Sequence, residues 1–478
     1  MHSASKNISL LLAIYCSLFF LLRIFAHGNL SPDEAEQFFN AQEFHLSYSS
    51  QAPLFTWLLI PITKVFGNNY ISINLLKYLS FLGFLYYFYQ SCKKLIPEQL
   101  QLTCLASLSL IPLYSYNYHK DLTHTVLLTA IAAWSFYIFN SDKARPILFG
   151  ISIGLGILAK YNFLLLALAL LISCFFNSEL KAKYLNLKNL SLIIFSSLLV
   201  CSPHFCDLYF NNFSSFSHAF RKASTASIDF LSIKNIFLIF KHVFLIQAPL
   251  LLVFLFFRFK KQKHYLNITY CGFTVLTLTI IVFKQMTFFH YRWLAPVLLL
   301  VPLLIFLSIK EPRTKISSKL FLSICIGIIS IALGVNYLYA FHPDQTGKKQ
   351  FSHLPYKSFA EELNANYLPL KTIFISHNRL LLANLSHRVE GLETLWLEEL
   401  SHDYFISEDK SLTKYKKTLN DSPKDKLVIL ETKDLNKNKE IANEYFQLFK
   451  SCQKLEKIKK NLNHSKKFRT ALHIFQCH

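Results

Sequence analysis

Long apolar blocks separated by short polar ones run through the first 341 residues of the chain. Most blocks approach the length of about 20 residues that a helix needs to cross the hydrocarbon core of a bilayer. The pattern therefore predicts an α-helical polytopic membrane protein with about eleven transmembrane helices. The predicted spans lie near 8–26, 71–91, 100–118, 122–140, 146–159, 161–176, 189–203, 235–257, 265–283, 293–309 and 319–341.

Composition agrees with a membrane protein. The chain is 53% hydrophobic and only 16% charged, whereas soluble globular chains are about 25% charged. The first run, 8–26, follows Lys6 and is longer than the apolar core of a signal peptide, so we interpret it as a retained anchor. The ten cysteines show no CxxC spacing, which argues against a zinc module.

The basic residues indicate which loops face the cytoplasm. The net charge is +22, and many Lys and Arg side chains fall in short loops between apolar runs, as the positive-inside rule expects of cytoplasmic loops. These loops contain Lys93 and Lys94, Lys143 and Arg145, Lys181 and Lys183, and the segments 258–265 and 310–319. We therefore expect a cytoplasmic N-terminus and no nucleic-acid partner.

The segments left on the outer side carry the polar motifs. They are the large first loop 27–70, the turn 119–121, the break at Lys160-Tyr161, the loops 204–234 and 284–292, and everything after residue 341. An ionisable residue at membrane depth is costly and is a functional candidate by default. Lys160 is the clearest case, because it interrupts two apolar stretches that would otherwise fuse.

The composition changes near residue 342, which divides the chain into a membrane domain, 1–341, and a small C-terminal α/β domain, 342–478. Strand-like runs at 371–378, 425–432 and 469–477 alternate with helix-like segments at 356–367 and 436–450. The topology places this domain outside, in the periplasm of a bacterial cell. Cys452 and Cys477 lie in segments that we expect to pair as a terminal hairpin.

The stretch SPDEAEQ, residues 31–37, admits two interpretations. Ser31 suits an N-cap, Pro32 the first helical position and Glu34 the carboxylate of a capping box, so the motif predicts a helix start. The same carboxylates lie at the outer mouth of the predicted membrane domain, where they are suited to acid–base chemistry. Capping and catalysis can share residues, and the sequence leaves both interpretations open.

Several motifs resemble one family of glycosyltransferases. They are DEAEQ (33–37), SYSSQAPLFTWL (47–58), KVFG (64–67), KDLTH (120–124), LAKYNFLLL (158–166) and FFHYRWLAPVLLLVPLL (288–304). Together they resemble GT-C glycosyltransferases of the protein-mannosyltransferase-like group, within it the bacterial lipid A aminoarabinose transferases and the rhizobial core galacturonosyltransferases. The resemblance covers residues 1 to about 341. Two departures are Ala52-Pro53 in place of a Pro-Pro pair and Gln51 in place of a Lys, which weakens the case for an aminoarabinose donor.

The resemblance implies an inner-membrane enzyme that moves a sugar from a polyprenyl-phosphate donor to a lipid or glycolipid acceptor, lipid A or the lipopolysaccharide core. Such a transfer needs a base for the acceptor hydroxyl and positive charge for the departing phosphate. His204 and His290 could bind a divalent metal together with a carboxylate, but nothing in their spacing requires one, so the sequence leaves a metal cofactor open. The candidates are Asp33, Glu34 and Asp121 as catalytic carboxylates, Lys160, Tyr161 and Arg292 for the donor phosphate, and Lys120, His124 and His290 for acceptor or accessory contacts.

Each candidate has a plainer alternative. Glu34 can serve as a metal or acceptor ligand or only cap a helix, and Asp121 can be an N-cap for the span that follows it. Lys160 and Arg292 can extend to lipid head groups. At the level of function, the alternative is a transporter or lipid flippase, although the sequence shows no paired half-repeats, which are common in transporters.

The loop alternation generates a topology prediction. Alkaline phosphatase fused near residue 345 should be active, because the reporter folds only outside the inner membrane, and a fusion at residue 262 should be inactive. Reporter activity in whole cells, normalised to the amount of fusion protein, measures both. The reverse result at the two positions would contradict the predicted sidedness.

Overall fold

The computed structural model describes the chain in thirteen stretches. They are residues 2–48, 51–210, 244–260, 264–283, 291–314, 316–342, 353–367, 372–376, 378–389, 393–396, 425–431, 452–461 and 469–477. Up to residue 342, the described chain is almost entirely helical, as the sequence predicts.

The helices follow the predicted spans closely. Each predicted span coincides with described helix over all or part of its length. The helices are α1 His2–His27, α2 Pro32–Asn40, α3 Leu54–Phe66, α4 Tyr70–Leu95, α5 Glu98–Ala106, α6 Tyr118–Lys120, α7 Thr123–Phe139, α8 Pro146–Ala159, α9 Phe163–Cys174, α10 Ser178–Tyr184, α11 Leu187–Phe210, α12 Val253–Phe256, α13 Tyr265–Phe283, α14 Ala295–Leu298, α15 Leu300–Leu307 and α16 Ser317–Phe341.

Four of the described helices are long and apolar enough to cross a membrane unaided, namely Asn7–Phe25 within α1, α4, α11 and α16. A fifth span results if α9 and α10, which are bent by 118° at a short break, are counted together. The other predicted spans correspond to shorter or interrupted helices. The chain is thus a membrane protein, and the number of about eleven spans stays a prediction.

The predicted span 100–118 shows why some spans are interrupted. Helix α5 ends at Ala106 and is followed by a 3-10 turn, Ser107–Leu110, and a single π-helical turn, Leu113–Asn117. Pro112 lies between the two turns, and proline has no N–H for a regular helical hydrogen bond. The π turn leads directly into α6, which carries the His119-Lys120 pair.

Small residues allow α8 and α11 to approach closely. A Cβ added at Gly150 would lie 2.0 Å from Ser196 Oγ and 2.4 Å from the carbonyl oxygen of Ile193. At Gly154 a Cβ would lie 2.7 Å from Val200 Cβ. Glycine is therefore required at both positions for this helix contact, in the manner of small residues at membrane helix interfaces.

By its internal contacts the chain divides into two units. One comprises Met1–Leu21, Glu43–Val65 and Asn74–Gly334, and the other comprises Leu22–Gln42, Phe66–Ile73 and Val335–His478. Part of the predicted first loop, including α2, therefore belongs with the C-terminal residues. The predicted domain boundary at 341–342 lies a few residues after the start of the last segment of the second unit.

A mixed sheet forms the C-terminal part of the second unit. Its strands lie in the order β4-β3-β5-β7-β6, with β3 parallel to β4 and β5, and with β7 antiparallel to β5 and β6. Helices α17 Tyr356–Tyr367 and α18 Arg379–Ser386 contribute to its apolar core. The strands are β3 Thr372–Ser376, β4 Glu393–Trp396, β5 Asp425–Glu431, β6 Cys452–Asn461 and β7 Arg469–Cys477, while β1 Phe257–Phe259 and β2 Ile309–Pro312 pair separately in the first unit.

The sequence predicted most of this domain. The strand-like runs at 371–378, 425–432 and 469–477 correspond to β3, β5 and β7, and the helix-like segment 356–367 corresponds to α17. Helix α18 and strand β4 were not predicted, and the segment 436–450 lies outside the described residues. The described strands and helices thus agree with a small α/β domain.

Helix α18 holds the entry to α2 through polar side chains. The Asn384 amide donates to the carbonyl oxygen of Leu30 (3.2 Å) and accepts from the Leu30 N–H (2.8 Å), as a neighbouring strand would. Just after α18, the Arg388 guanidinium donates to the carbonyl oxygen of Gly28 (2.6 Å) and to Asn29 Oδ1 (2.5 Å). Gly28 has a φ of +58°, which favours glycine at this close approach.

His387 lies within the same contact. His387 Nε2 lies 2.5 Å from Arg388 Nη1 and 3.1 Å from the carbonyl oxygen of Gly28. Burial and the positive charge of Arg388 lower the pKa of His387 from its ordinary 6.5 to about 4. Protonation would place two positive groups in contact and weaken the attachment of segment 28–31.

This pKa generates a stability prediction. As the pH falls from 6.5 to about 4, the unfolded chain takes up a proton at His387 and the folded chain does not, so stability falls across that window. Between pH 7 and pH 4.5, the unfolding temperature of the His387→Gln variant should fall by less than that of the wild type, measured on the full chain in detergent. His45→Gln, at an exposed histidine, is the control and should behave as the wild type. Equal losses in the wild type and His387→Gln would refute the assignment.

The terminal hairpin generates a second prediction. Strands β6 and β7 pair antiparallel, as the sequence predicts, and Cys452 and Cys477 are directly opposed Cα partners. An oxidising compartment would permit a disulfide between them. We expect both cysteines to resist alkylation in native protein until a reductant is added, as mass spectrometry of the two peptides would show. Modification of both without reductant would exclude the bond.

Candidate active site

The SPDEAEQ motif forms the helix start that the sequence predicts. Ser31 is the N-cap of α2, with its hydroxyl accepting from the Glu34 N–H at 3.4 Å. The Glu34 carboxylate in turn accepts from the Ser31 N–H at 2.8 Å. Both halves of a capping box are therefore present, and Pro32 occupies the first helical position.

Two of the three carboxylates in this motif are held by arginines. Arg23, near the end of α1, contacts Glu34 at 2.5 Å, and the two side chains are only 7% and 0% exposed. Arg379, the first residue of α18, contacts the buried Glu36 at 2.9 Å. Removing one partner of a buried ion pair typically costs about 3–5 kcal/mol, so Glu34 and Glu36 fix the position of α2.

Asp33 differs from its two neighbours because it is only half-buried. It lies in the first turn of α2, where the positive end of the helix dipole favours a carboxylate. Among the three acidic residues of the motif, it is the most exposed. The helix-start interpretation of SPDEAEQ is therefore confirmed for Ser31, Pro32 and Glu34, and a catalytic role for Asp33 stays a prediction.

The turn that contains Asp121 is strained. Asp121 has an extended backbone, and Leu122 follows it with a φ of 73°, the one positive φ outside glycine among the described residues. A left-handed branched residue costs on the order of 1–3 kcal/mol and is typical of functional sites. The N-cap position of α7 belongs to Leu122. The alternative that Asp121 serves as this N-cap is therefore wrong.

A buried polar cluster that was not predicted from the sequence lies beside this turn. His119 is stacked on Phe19 with ring centroids 3.6 Å apart and contacts the hydroxyl groups of Tyr15 (3.1 Å) and Tyr78 (3.3 Å). Lys77 is 1% exposed. A lysine inside the predicted span 71–91 was the signal that could have identified this cluster.

Lys120 and His124 lie on either side of the strained turn. Lys120 is half-buried at the end of α6, and His124 is buried in the first turn of α7. The next residue, Thr125, accepts a hydrogen bond from the Lys160 ammonium at 3.3 Å. The structure therefore brings Lys160 next to Thr125, one residue after His124.

The break between α8 and α9 consists of Lys160, Tyr161 and Asn162, and each of these residues contacts a different segment of the chain. Besides the contact of Lys160 with Thr125, the Tyr161 hydroxyl lies 2.9 Å from His204 Nε2. The Asn162 amide donates to the carbonyl oxygen of Trp293 at 2.9 Å. Arg292, the residue before Trp293, is half-buried, whereas His290 lies outside the described residues.

An apolar groove begins at the same break. It has a volume of about 510 Å³ and lies among α8, α9 and α11. Tyr161 lines the groove, and its other walls are almost wholly aliphatic and aromatic, including Ile157, Leu164, Leu198 and Phe205. The volume is within the range of about 300–1,000 Å³ found for small-molecule sites. The groove suits the apolar chain of a lipid.

The histidines do not form a metal site in the described residues. His204 is fully buried, and its Nδ1 lies 2.9 Å from the carbonyl oxygen of Leu46 while Nε2 contacts Tyr161. Both ring nitrogens are therefore in hydrogen bonds. Within the part of the chain that the structure describes, no three His, Cys, Asp or Glu side chains are grouped to hold a metal ion.

Sequence comparisons connect this region to known proteins. Residues 50–206 match the family of dolichyl-phosphate-mannose-protein mannosyltransferases. Lipopolysaccharide core galacturonosyltransferase RgtA from Rhizobium johnstonii is 33% identical over 208 residues, which are 42% of this chain and 41% of RgtA. RgtB from the same organism is 30% identical over 213 residues, 42% of this chain and 43% of RgtB. The chain thus aligns with about two-fifths of the length of these relatives.

Structural comparisons extend over nearly the whole chain. The crystal structure of ArnT from Cupriavidus metallidurans bound to undecaprenyl phosphate is similar with a TM-score of 0.59, at 11% identity and over 98% of both chains. The apo form gives the same TM-score at 10% identity, over 99% of this chain and 98% of ArnT. The expected resemblance is confirmed: this chain has the fold of ArnT, and it resembles the GT-C glycosyltransferases of the protein-mannosyltransferase-like group.

Proposed function

We propose that the protein is a glycosyltransferase of the bacterial inner membrane that moves a sugar from a polyprenyl-phosphate donor to the lipopolysaccharide core or lipid A. The fold shared with ArnT and the similarity to RgtA and RgtB support this class of reaction. The positive-inside pattern supports transfer on the periplasmic face, with residues 342–478 on that side.

The observation that carries the proposal is the position of Lys160 at the start of the apolar groove. Lys160 is half-buried and is followed directly by Tyr161, which lines the groove. A polyprenyl phosphate has an anionic head and a long apolar chain, and the break offers an ammonium group for the first and an aliphatic surface for the second. Arg292, next to the Trp293 carbonyl that Asn162 contacts, supplies a second cation.

Asp33 is the proposed base. Asp33 lies half-buried in the first turn of α2, and a carboxylate there is suited to accept a proton from the acceptor hydroxyl, whereas Glu34 and Glu36 hold α2 in place through Arg23 and Arg379. The acceptor oxygen then bonds to the anomeric carbon of the sugar, while the bond from that carbon to the phosphate oxygen breaks. Lys160 and Arg292 stabilise the additional negative charge on the departing phosphate. We keep Asp121, in its strained turn, as the second candidate carboxylate.

The test is complementation of a deletion strain with the Asp33→Asn variant. The variant keeps the size and most of the capping ability of Asp33 but lacks a proton acceptor, so we expect at least about a hundredfold loss of transfer at normal protein level. Mass spectrometry of lipid A and core measures the transferred sugar. Asp142→Asn, at an exposed loop carboxylate, is the matched control and should retain full activity.

Two further variants separate the roles of the residues. Lys160→Met should chiefly raise the KM for the donor, whereas Glu34→Gln should lower the amount of folded protein because it breaks the buried pair with Arg23. Full transfer by Asp33→Asn at normal abundance would remove Asp33 from the mechanism and favour Asp121. An unchanged sugar pattern in the deletion strain would contradict the proposed function itself.

A further inference from the structure

His204 connects three segments of the first unit that are distant in sequence. It is fully buried in α11, and its ring lies between the backbone of segment 43–48 and the side chain of Tyr161. Three residues further along α11, Asp207 accepts a hydrogen bond from Ser47. The end of α11 therefore holds segment 43–48 at two points and the break between α8 and α9 at one.

The hydrogen-bond roles of His204 follow from its partners. The carbonyl oxygen of Leu46, 2.9 Å from Nδ1, can only accept, so Nδ1 carries a hydrogen. In the neutral imidazole Nε2 is then an acceptor, and the Tyr161 hydroxyl, 2.9 Å away, donates to it. The hydroxyl hydrogen of Tyr161 is thus directed at His204.

We propose that His204 is a positioning residue that fixes Lys160 for the donor phosphate by anchoring the adjacent Tyr161. The proposal rests on the proposed function and assigns Tyr161 an anchoring role, because its hydroxyl hydrogen is already used. Lys160 has an extended backbone at the end of α8, and a lysine side chain is flexible, so the position of its ammonium depends on how firmly the break is held.

The two ring nitrogens can be tested separately. The amide of His204→Asn reaches the place of Nδ1, so it keeps the contact with Leu46 and loses the contact with Tyr161. The longer His204→Gln reaches the place of Nε2 and can still accept from Tyr161. A residue with only a general packing role would show no such difference between the two variants.

The experiment measures binding of undecaprenyl phosphate to the purified full chain in detergent, together with transfer kinetics. We expect His204→Asn and Tyr161→Phe each to weaken binding and raise the donor KM about tenfold, with kcat changed less than about twofold, since one hydrogen bond to a buried group is lost. His204→Gln should retain most of the affinity. The double variant should be no worse than either single one, because both remove the same interaction.

Tyr270→Phe is the matched control, because it removes another tyrosine hydrogen bond of 2.9 Å, which joins Tyr270 to Gln247 and involves no residue of the break. It should bind undecaprenyl phosphate as the wild type does. If His204→Asn does not fold, Tyr161→Phe, which loses only a hydroxyl group, still decides the question.

The outcomes for this inference and for the proposed function are distinct. Wild-type binding by His204→Asn or Tyr161→Phe would overturn the inference, as would equal losses in the Asn and Gln variants. Absence of binding by the wild type would also overturn it, because there would be no phosphate site to position. Wild-type protein that binds the lipid but transfers no sugar would contradict the proposed function while leaving the positioning role supported by the binding measurements.

Discussion

The break at Lys160-Tyr161 is the constraint on which the first unit, the one that contains most of the apolar helices, depends. In a bilayer, a polar or irregular segment is tolerated only where protein groups satisfy it. Here each of the three residues at the break has such a partner, from Thr125, His204 and the Trp293 carbonyl. A cation can therefore remain beside an apolar groove without interrupting the packing of α8 and α9.

In the second unit, side chains distant in sequence hold α2, a short helix with three acidic residues. Arginines at the end of α1 and the start of α18 neutralise Glu34 and Glu36, and Asn384 pairs with the backbone of Leu30. These contacts are buried, so each is costly to break. The C-terminal α/β residues thus stabilise the position of α2, and the composition of their sequence does not predict this role.

Sequence reasoning succeeded for features that depend on local pattern. Apolar run length identified the helices, and the capping signature of Ser31 and Glu34 identified the start of α2, because both are set by residues close in the chain. It left open whether Asp121 caps α7 or serves as a catalytic carboxylate, and it did not anticipate the left-handed Leu122 at the N-cap position. Such a conformation is unfavourable locally, so it arises only from tertiary packing and could not have been predicted from propensity.

The sequence by itself determined that the chain is a helical membrane protein with polar motifs at its helix breaks and an α/β segment at its C-terminal end. Only the tertiary structure decided which carboxylates of SPDEAEQ are committed to arginines. Glu36 contacts Arg379, more than 300 positions away in the chain. His204 contacts Leu46 and Tyr161, which are 158 and 43 positions away. Partners that far apart are chosen by packing, and neither apolar periodicity nor charge pattern contains that information.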